Sequence, residues 1–229
     1  MKRKKRPLAF FDLDGTIFRS SLLIELDSML VKYGIFPPIV EKEVESARTK
    51  WINRHGSYED YINRVVLVHH NRLAGCAQKD VERVAKMVID QQKHHVYVYT
   101  RELIKKLSQT HTLIAISGSP IEVVKRFARA WKFNEYYATE HEVVNGIYTH
   151  TITKLPVKDK KQVVYDVARA YGVSLAHSIG VGDTESDIKF LEVVSHPICF
   201  NPNNTLYRVA RKRGWSIVVE RKDVVYTIK

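Results

Sequence analysis

The feature that most constrains this chain is a short apolar run, Leu8-Ala9-Phe10-Phe11, that stops in Asp12-Leu13-Asp14-Gly15-Thr16. Consecutive apolar residues, two of them aromatic, bounded by a turn signal fit a buried strand better than a helix. Two carboxylates at its end would cost several kcal/mol if buried without partners. They therefore belong at the carboxyl edge of a sheet, within reach of solvent and a cation. In an open parallel α/β sheet, that edge is where ligands bind. The pair also divides chemical labour. Asp12 suits nucleophilic attack on phosphorus with formation of an acyl phosphate, and Asp14 suits protonating a leaving oxygen and then activating water.

Two further apolar runs end in the same manner. Leu113-Ile114-Ala115-Ile116 leads into Ser117-Gly118-Ser119-Pro120, where a proline suits the start of a helix. There the Ser117 hydroxyl and the Gly118 amide are placed to bind a phosphoryl oxygen, helped by the positive end of the following helix. His177-Ser178-Ile179-Gly180-Val181-Gly182 leads into Asp183, and Asp187, four residues on, lies in the first turn of a helix that begins near Thr184 and can face the same site. Carboxylates converging from two strand ends make a hard oxygen site suited to Mg²⁺. Between these runs, Lys158, Lys160 and Lys161 crowd the first turn of a helical pattern, where a cation opposes the helix dipole. Any of the three is a candidate to neutralise a nucleophilic carboxylate and a transferring phosphoryl group.

The ordered set Asp12-Leu13-Asp14-Gly15-Thr16, Ser117-Gly118-Ser119, Lys160 and Gly182-Asp183-x-x-x-Asp187 resembles the four motifs of the haloacid dehalogenase superfamily, in its phosphoserine-phosphatase-like branch. The resemblance spans nearly the whole chain. It implies a doubly wound, Rossmann-like α/β fold with a parallel sheet and an inserted helical cap. It also implies Asp12 as nucleophile, Asp14 as acid and base, Ser117 as phosphate donor and Lys160 as the bridging cation. Mg²⁺ would be held by Asp12, the Asp14 backbone carbonyl and Asp183, with Asp187 as a supporting or metal-side acid. Gly118 and Ser119 would complete the phosphate pocket.

The chain departs from that branch at Ser21, where relatives that cleave phosphoserine carry a glutamate for the ammonium group. Phosphoserine is therefore expected to be a poor substrate, unless Glu25 compensates. Residues 17–100 read as the cap, with helical patterns over Leu22–Val31, Val40–Ile52, Tyr58–His70 and Val81–Ile89, punctuated by Pro37-Pro38, Gly56 and Gly75. Residues 1–16 and 101–229 read as the core. Within the cap, Arg19, Arg54 and Arg64 are expected to clamp anionic substrate groups and Trp51 to stack on a planar one. Asn145-Gly146 marks a hairpin too short to act as a second lid. Ile198–Phe200 and Trp215–Val219 read as the last two strands.

The chain has 229 residues and a formal net charge of +12. Five basic residues at 2–6, and seven basic against two acidic residues at 205–229, account for most of it. Such ends are expected to be solvated, with contact to nucleic acid or an anionic membrane surface as an alternative. No stretch has the roughly 20 apolar residues of a membrane span, and the two cysteines have no metal or redox spacing. A cytoplasmic location is expected. The reading is a Mg²⁺-dependent phosphomonoesterase acting on a small phosphorylated metabolite. A phosphotransferase, a lipid head-group phosphatase and a non-catalytic basic nucleic-acid-binding protein are the alternatives.

Overall fold

Leu8–Phe11 forms β1, buried at every position, near the middle of an eight-stranded sheet. The computed structural model describes residues 5–228. The other strands are β2 (Thr112–Pro120), β3 (Glu135–Val144), β4 (Ile147–Lys154), β5 (Ile179–Gly182), β6 (His196–Phe200), β7 (Ser216–Arg221) and β8 (Val224–Ile228). Their order is β4-β3-β2-β1-β5-β6-β7-β8, parallel from β3 to β7 with an antiparallel strand at each edge. The chain winds outward from β1 to β2 and β3, then returns to the other side of β1 with β5. The strand order therefore reverses at β1, which opens a crevice at the carboxyl ends of β1, β2 and β5.

Side chains along β1 and β2 alternate between two apolar layers, as a two-residue period requires. Ala9, Phe11, Leu113 and Ala115 face one layer, and Leu8, Phe10, Ile114 and Ile116 face the other. The second layer is closed by α7 (Lys160–Tyr171), α8 (Ile188–Leu191) and α9 (Asn204–Arg213). The first receives α6 (Ile121–Ala130) and two helices of the long segment between β1 and β2, α1 (Leu22–Lys32) and α4 (Gln78–Gln92). Phe127 of α6, Leu26 of α1 and Val84 of α4 are all fully buried there.

The same segment contributes α2 (Ile39–Ile52), α3 (Tyr58–Leu73) and α5 (Val98–Leu107). Around Leu23, Tyr61 and Val65, α1 and α3 build a separate small apolar cluster that Trp51 joins by stacking on Tyr61. A reciprocal capping box between Ser57 and Asp60 sets the start of α3.

One expectation from the sequence is corrected, and two others gain detail. β8 follows β7 as an antiparallel edge strand, so Ile198–Phe200 and Trp215–Val219 are not the last two strands. Asn145 and Gly146 make the expected left-handed turn (φ 51° and 79°), and the hairpin they close joins strands of 10 and 8 residues, with β4 packing beside α3. Of the basic N-terminal run, Lys5 and Arg6 are exposed as expected, and Lys5 donates to the Gly172 carbonyl at 3.0 Å and Arg6 to the Ser108 carbonyl at 2.5 Å. Lys2, Arg3 and Lys4 lie outside the described residues. Among the described residues no helix is long and apolar enough to cross a membrane.

Candidate active site

Asp12 follows β1 directly and is buried, with its backbone amide donating to the Val181 carbonyl of β5 at 2.9 Å. Lys160, the first residue of α7, is equally buried and donates to Asp12 Oδ1 at 2.6 Å and to Asp187 Oδ1 at 2.7 Å. Among the three competing lysines the structure thus brings only this one to the carboxylates. Lys158 lines the cavity above, and the Lys161 ammonium lies over the Tyr165 ring. Burial alone would lower the pKa of Lys160, but the Asp12 and Asp187 carboxylates outweigh it and raise the pKa, so the ammonium stays charged.

Asp187 is completely buried and holds the loop together. Its Oδ2 accepts from the Asp183 amide at 2.9 Å and the Thr184 amide at 3.1 Å, while Oδ1 serves Lys160. Both oxygens are therefore occupied, which suits a supporting acid better than a metal ligand. Asp183 Oδ1 accepts from the Thr16 hydroxyl at 3.2 Å. Glycine is required at position 15, where φ is +78° and a Cβ would collide with Asp183 Oδ2.

Asp14 sits in a cradle of donors. The Leu22 amide at the start of α1 donates to Oδ1 at 2.5 Å, and the Ser117 and Ser119 hydroxyls donate to Oδ2 at 2.8 and 2.9 Å. Burial raises its pKa, against the lowering effect of these bonds. Ser117 is fully buried, and its hydroxyl reaches Asp14 instead of facing open cavity. Gly118 and Ser119 do line the cavity.

The donor set suits a hard cation. Asp12, Asp183 and Asp187 each bring an oxygen within 4.8 Å of the others. Burial pushes Asp12 up to about 7 despite Lys160 beside it, and raises Asp183 as well, with Asp12 and Asp187 adding to the effect. One ammonium faces several carboxylates, and Asp12 Oδ2 is buried without a partner. An all-oxygen site short of positive charge, with an orphaned carboxylate oxygen, fits Mg²⁺. Asp12 and Asp183 are the side chains with an oxygen to offer.

Above these acids lies a cavity of about 400 Å³, closed on the far side by α1 and α3 and on one flank by the β3–β4 hairpin. Thr139, His141 and Ile152 line it, so the hairpin expected to be too short for a second lid forms a wall of the cavity. Ser21 lines it as expected. The cap arginines do not. Arg19 lies over the Tyr97 ring, Arg64 donates to the Glu43 carbonyl at 2.8 Å, and Arg54 is exposed in a left-handed turn after α2. Trp51 is spent on Tyr61, and Glu25 accepts from Ser20 and Gln92. The cavity wall is instead made by residues that sequence reasoning passed over: Tyr58, Ile62, Asn63, Val66, His69 and His70. Their spacing along α3 is that of one helical face, which was the available signal.

The model of the haloacid dehalogenase-like hydrolase family matches residues 9–192, and the chain belongs to that family. It is similar to a probable phosphatase of Mycobacterium tuberculosis, 26% identical over 94% of this chain and 76% of that protein. Among solved structures, a Bordetella pertussis protein of unknown function aligns with a TM-score of 0.75 at 22% identity, over 93% of this chain and 98% of that one. A phosphoserine phosphatase solved as a phospho-aspartyl intermediate analogue aligns with a TM-score of 0.65 at 20% identity, over 96% of both chains. The α/β fold expected from the motifs is thus shared with the phosphoserine-phosphatase-like branch.

Proposed function

We propose that this hydrolase is a Mg²⁺-dependent phosphatase that cleaves a small phosphate monoester through an aspartyl-phosphate on Asp12, with residues 17–100 acting as a cap. The observation that carries the reading is Asp12 itself, a strand-end carboxylate held on Oδ1 by a buried lysine and unpartnered on Oδ2. Its phosphatase relatives support the same class.

The Asp12 carboxylate attacks phosphorus as the ester P–O bond breaks, and Asp14 gives its proton to the departing oxygen. Asp14 is able to carry that proton on Oδ2 because one of the two hydroxyls there, Ser117 or Ser119, can turn from donating to accepting. Lys160 spreads positive charge over Asp12 and the transferring group. In the second half Asp14 takes a proton from water, the water oxygen bonds to phosphorus, and the acyl P–O bond breaks to release inorganic phosphate and restore Asp12. When bound, Mg²⁺ supplies charge against the phosphoryl oxygens, held by Asp12 and Asp183. The walls from α1, α3 and the hairpin exclude water and hold the leaving group. A cytoplasmic setting belongs to the same proposal, in keeping with two cysteines that have no metal or redox spacing.

The test is rapid quench of the purified protein with phosphorus-labelled aryl phosphate and Mg²⁺. Hydroxylamine-sensitive label on the peptide containing Asp12, with release of inorganic phosphate, is the expected result. Turnover with no such label refutes the intermediate, and transfer of label to an added alcohol in place of water identifies a phosphotransferase.

A further inference from the structure

One face of α3 walls the cavity from end to end. Glu59 stands at the amino end, Ile62 and Val66 lie in the middle, and His69 and His70 stand near the carboxyl end. The positions from 59 to 70 span about 16 Å at the helical rise per residue. At the acidic end the Glu185 carboxylate beside Glu59 raises the Glu59 pKa. The histidine end carries a buried nitrogen with no partner.

His69 is 3% exposed, and its Nδ1 lies 2.5 Å from Asp27 Oδ1. Across the ring, Nε2 is buried and has no partner. Asp27 sits five residues into α1 from Leu22, whose amide holds Asp14, so this pair is about 7.5 Å farther along that helix axis. His70 and His141 share a hydrogen bond at 3.2 Å beside it, and the His150 ring lies 6.0 Å from that of His70. Leu23, Ile62, Val66 and Ile152 fill the space between with apolar surface.

We propose that this histidine-walled end is the leaving-group subsite, and that His69, oriented by Asp27, donates from Nε2 to an oxyanion carried at the far end of an apolar chain. The inference rests on the phosphatase reading above and names its substrate class: phosphate monoesters whose alcohol part is apolar and ends in a carboxylate.

The charges favour a donor at Nε2. A buried Asp27 carboxylate beside a neutral imidazole would leave an uncompensated charge, whereas the imidazolium makes the pair neutral. Burial alone would lower the pKa of His69, but Asp27, followed by Glu122 of α6, raises it. The carboxyl end of α3 adds negative potential there. His141 is pushed down to about 4 by burial and by His69 and His70, so it remains a neutral neighbour. The Nε2–H of this Asp27-paired imidazolium, unpartnered in apolar surroundings, matches an anionic acceptor, and a hydrogen bond with an ionised partner is roughly twice as strong as a neutral one.

The test compares kcat/KM for primary alkyl phosphates of matched length ending in carboxylate, methyl or ammonium, with an aryl phosphate alongside. The wild-type protein should prefer the carboxylate-ended phosphate over the methyl-ended one by roughly 10- to 100-fold, the range for a hydrogen bond to a charged group. That preference should fall toward unity in both His69→Gln and Asp27→Asn, mainly through KM, and should fade as pH rises past the range where His69 is protonated. Hydrolysis of the aryl phosphate with no end-group preference, or with preference for ammonium, overturns the subsite and leaves the phosphatase reading standing. No hydrolysis of any ester overturns both. Full preference in His69→Gln excludes His69 as the donor.

Discussion

The Lys160 ammonium lies 2.6 Å from Asp12 Oδ1, joining the end of β1 to the start of α7 across 148 residues of chain. The bond is buried, so its two partners depend on each other. Lys160→Met should remove the ammonium that bonds both Asp12 and Asp187, and breaking a buried pair in this way costs about 3–5 kcal/mol. Thermal unfolding should show the loss as a Tm lower by roughly 2–4 °C for each kcal/mol, with phosphatase turnover lost as well. Wild-type stability and turnover in Lys160→Met would remove this lysine from the proposed chemistry.

Asp12→Asn should abolish turnover while the protein stays folded, because it removes the attacking oxygen at almost constant volume. Asp14→Asn should lower kcat by about 10²–10⁴, the range for general acid–base catalysis. The check is steady-state hydrolysis of an aryl phosphate by each variant, with circular dichroism confirming the fold. Activity in Asp12→Asn close to wild type would rule out the assigned nucleophile.

Chelation should stop the reaction, and Mg²⁺ should restore it. Ca²⁺ should inhibit, since its larger and more flexible shell lets Asp12 bind through both oxygens and withdraws the nucleophile. The measurement is phosphate release after dialysis against chelator and readdition of each ion. Undiminished release after exhaustive chelation would contradict a metal-assisted step.

Gly182, the last residue of β5, packs against Asp187 so closely that a Cβ would lie 2.6 Å from its Cβ, Cγ and Oδ2. Gly182→Ala should therefore displace the acid that holds Lys160 and the Asp183 amide. Overpacking of this kind costs typically about 1–3 kcal/mol, and turnover should drop further than stability does. A Gly182→Ala variant with unchanged kcat would show that Asp187 does not position Lys160.

The elements around β1, β2, β5 and α7 were legible because chemistry and periodicity coincide there: short apolar runs end in Asp12, Ser117 and Asp183, and a lysine stands where the helix dipole disfavours it. The cavity wall was not legible from residue type. Arg54 and Arg64 look like anion clamps in a sequence, yet one is spent in a solvent-exposed turn and the other on a backbone carbonyl. His69 and His141 are scattered histidines until α3 and β3 bring them to a ring-centroid distance of 6.0 Å, a contact that no local pattern encodes. The apolar alternation of α3 was readable, but it marks a buried face without saying whether protein or ligand covers it. β8 was missed because its residues are all exposed, so the strand carries no core signal.

The Asp27–His69 pair should leave a signature in stability as well as in substrate choice. His69 has its pKa raised above the ordinary 6.5 in the folded protein. A raised value means that the folded state binds the proton more tightly than the unfolded chain does. The resulting stabilisation is fully present below pH 6.5 and is lost as pH rises through the higher folded value. Asp27, raised above 3.8 by burial, acts in the same direction but in the acid range. In Asp27→Asn the imidazolium has no counter-charge, so the variant should suffer most where His69 would be charged. The Tm gap between wild type and Asp27→Asn should therefore be largest near pH 6, corresponding to about 3 kcal/mol, and should narrow steadily toward pH 9. The groups facing the pair, His70, His141, His150 and Glu122, are present in both proteins and drop out of the difference to first order. Differential scanning calorimetry across that range provides the measurement, and a gap that stays constant or widens with pH would show that His69 is neutral in the folded protein.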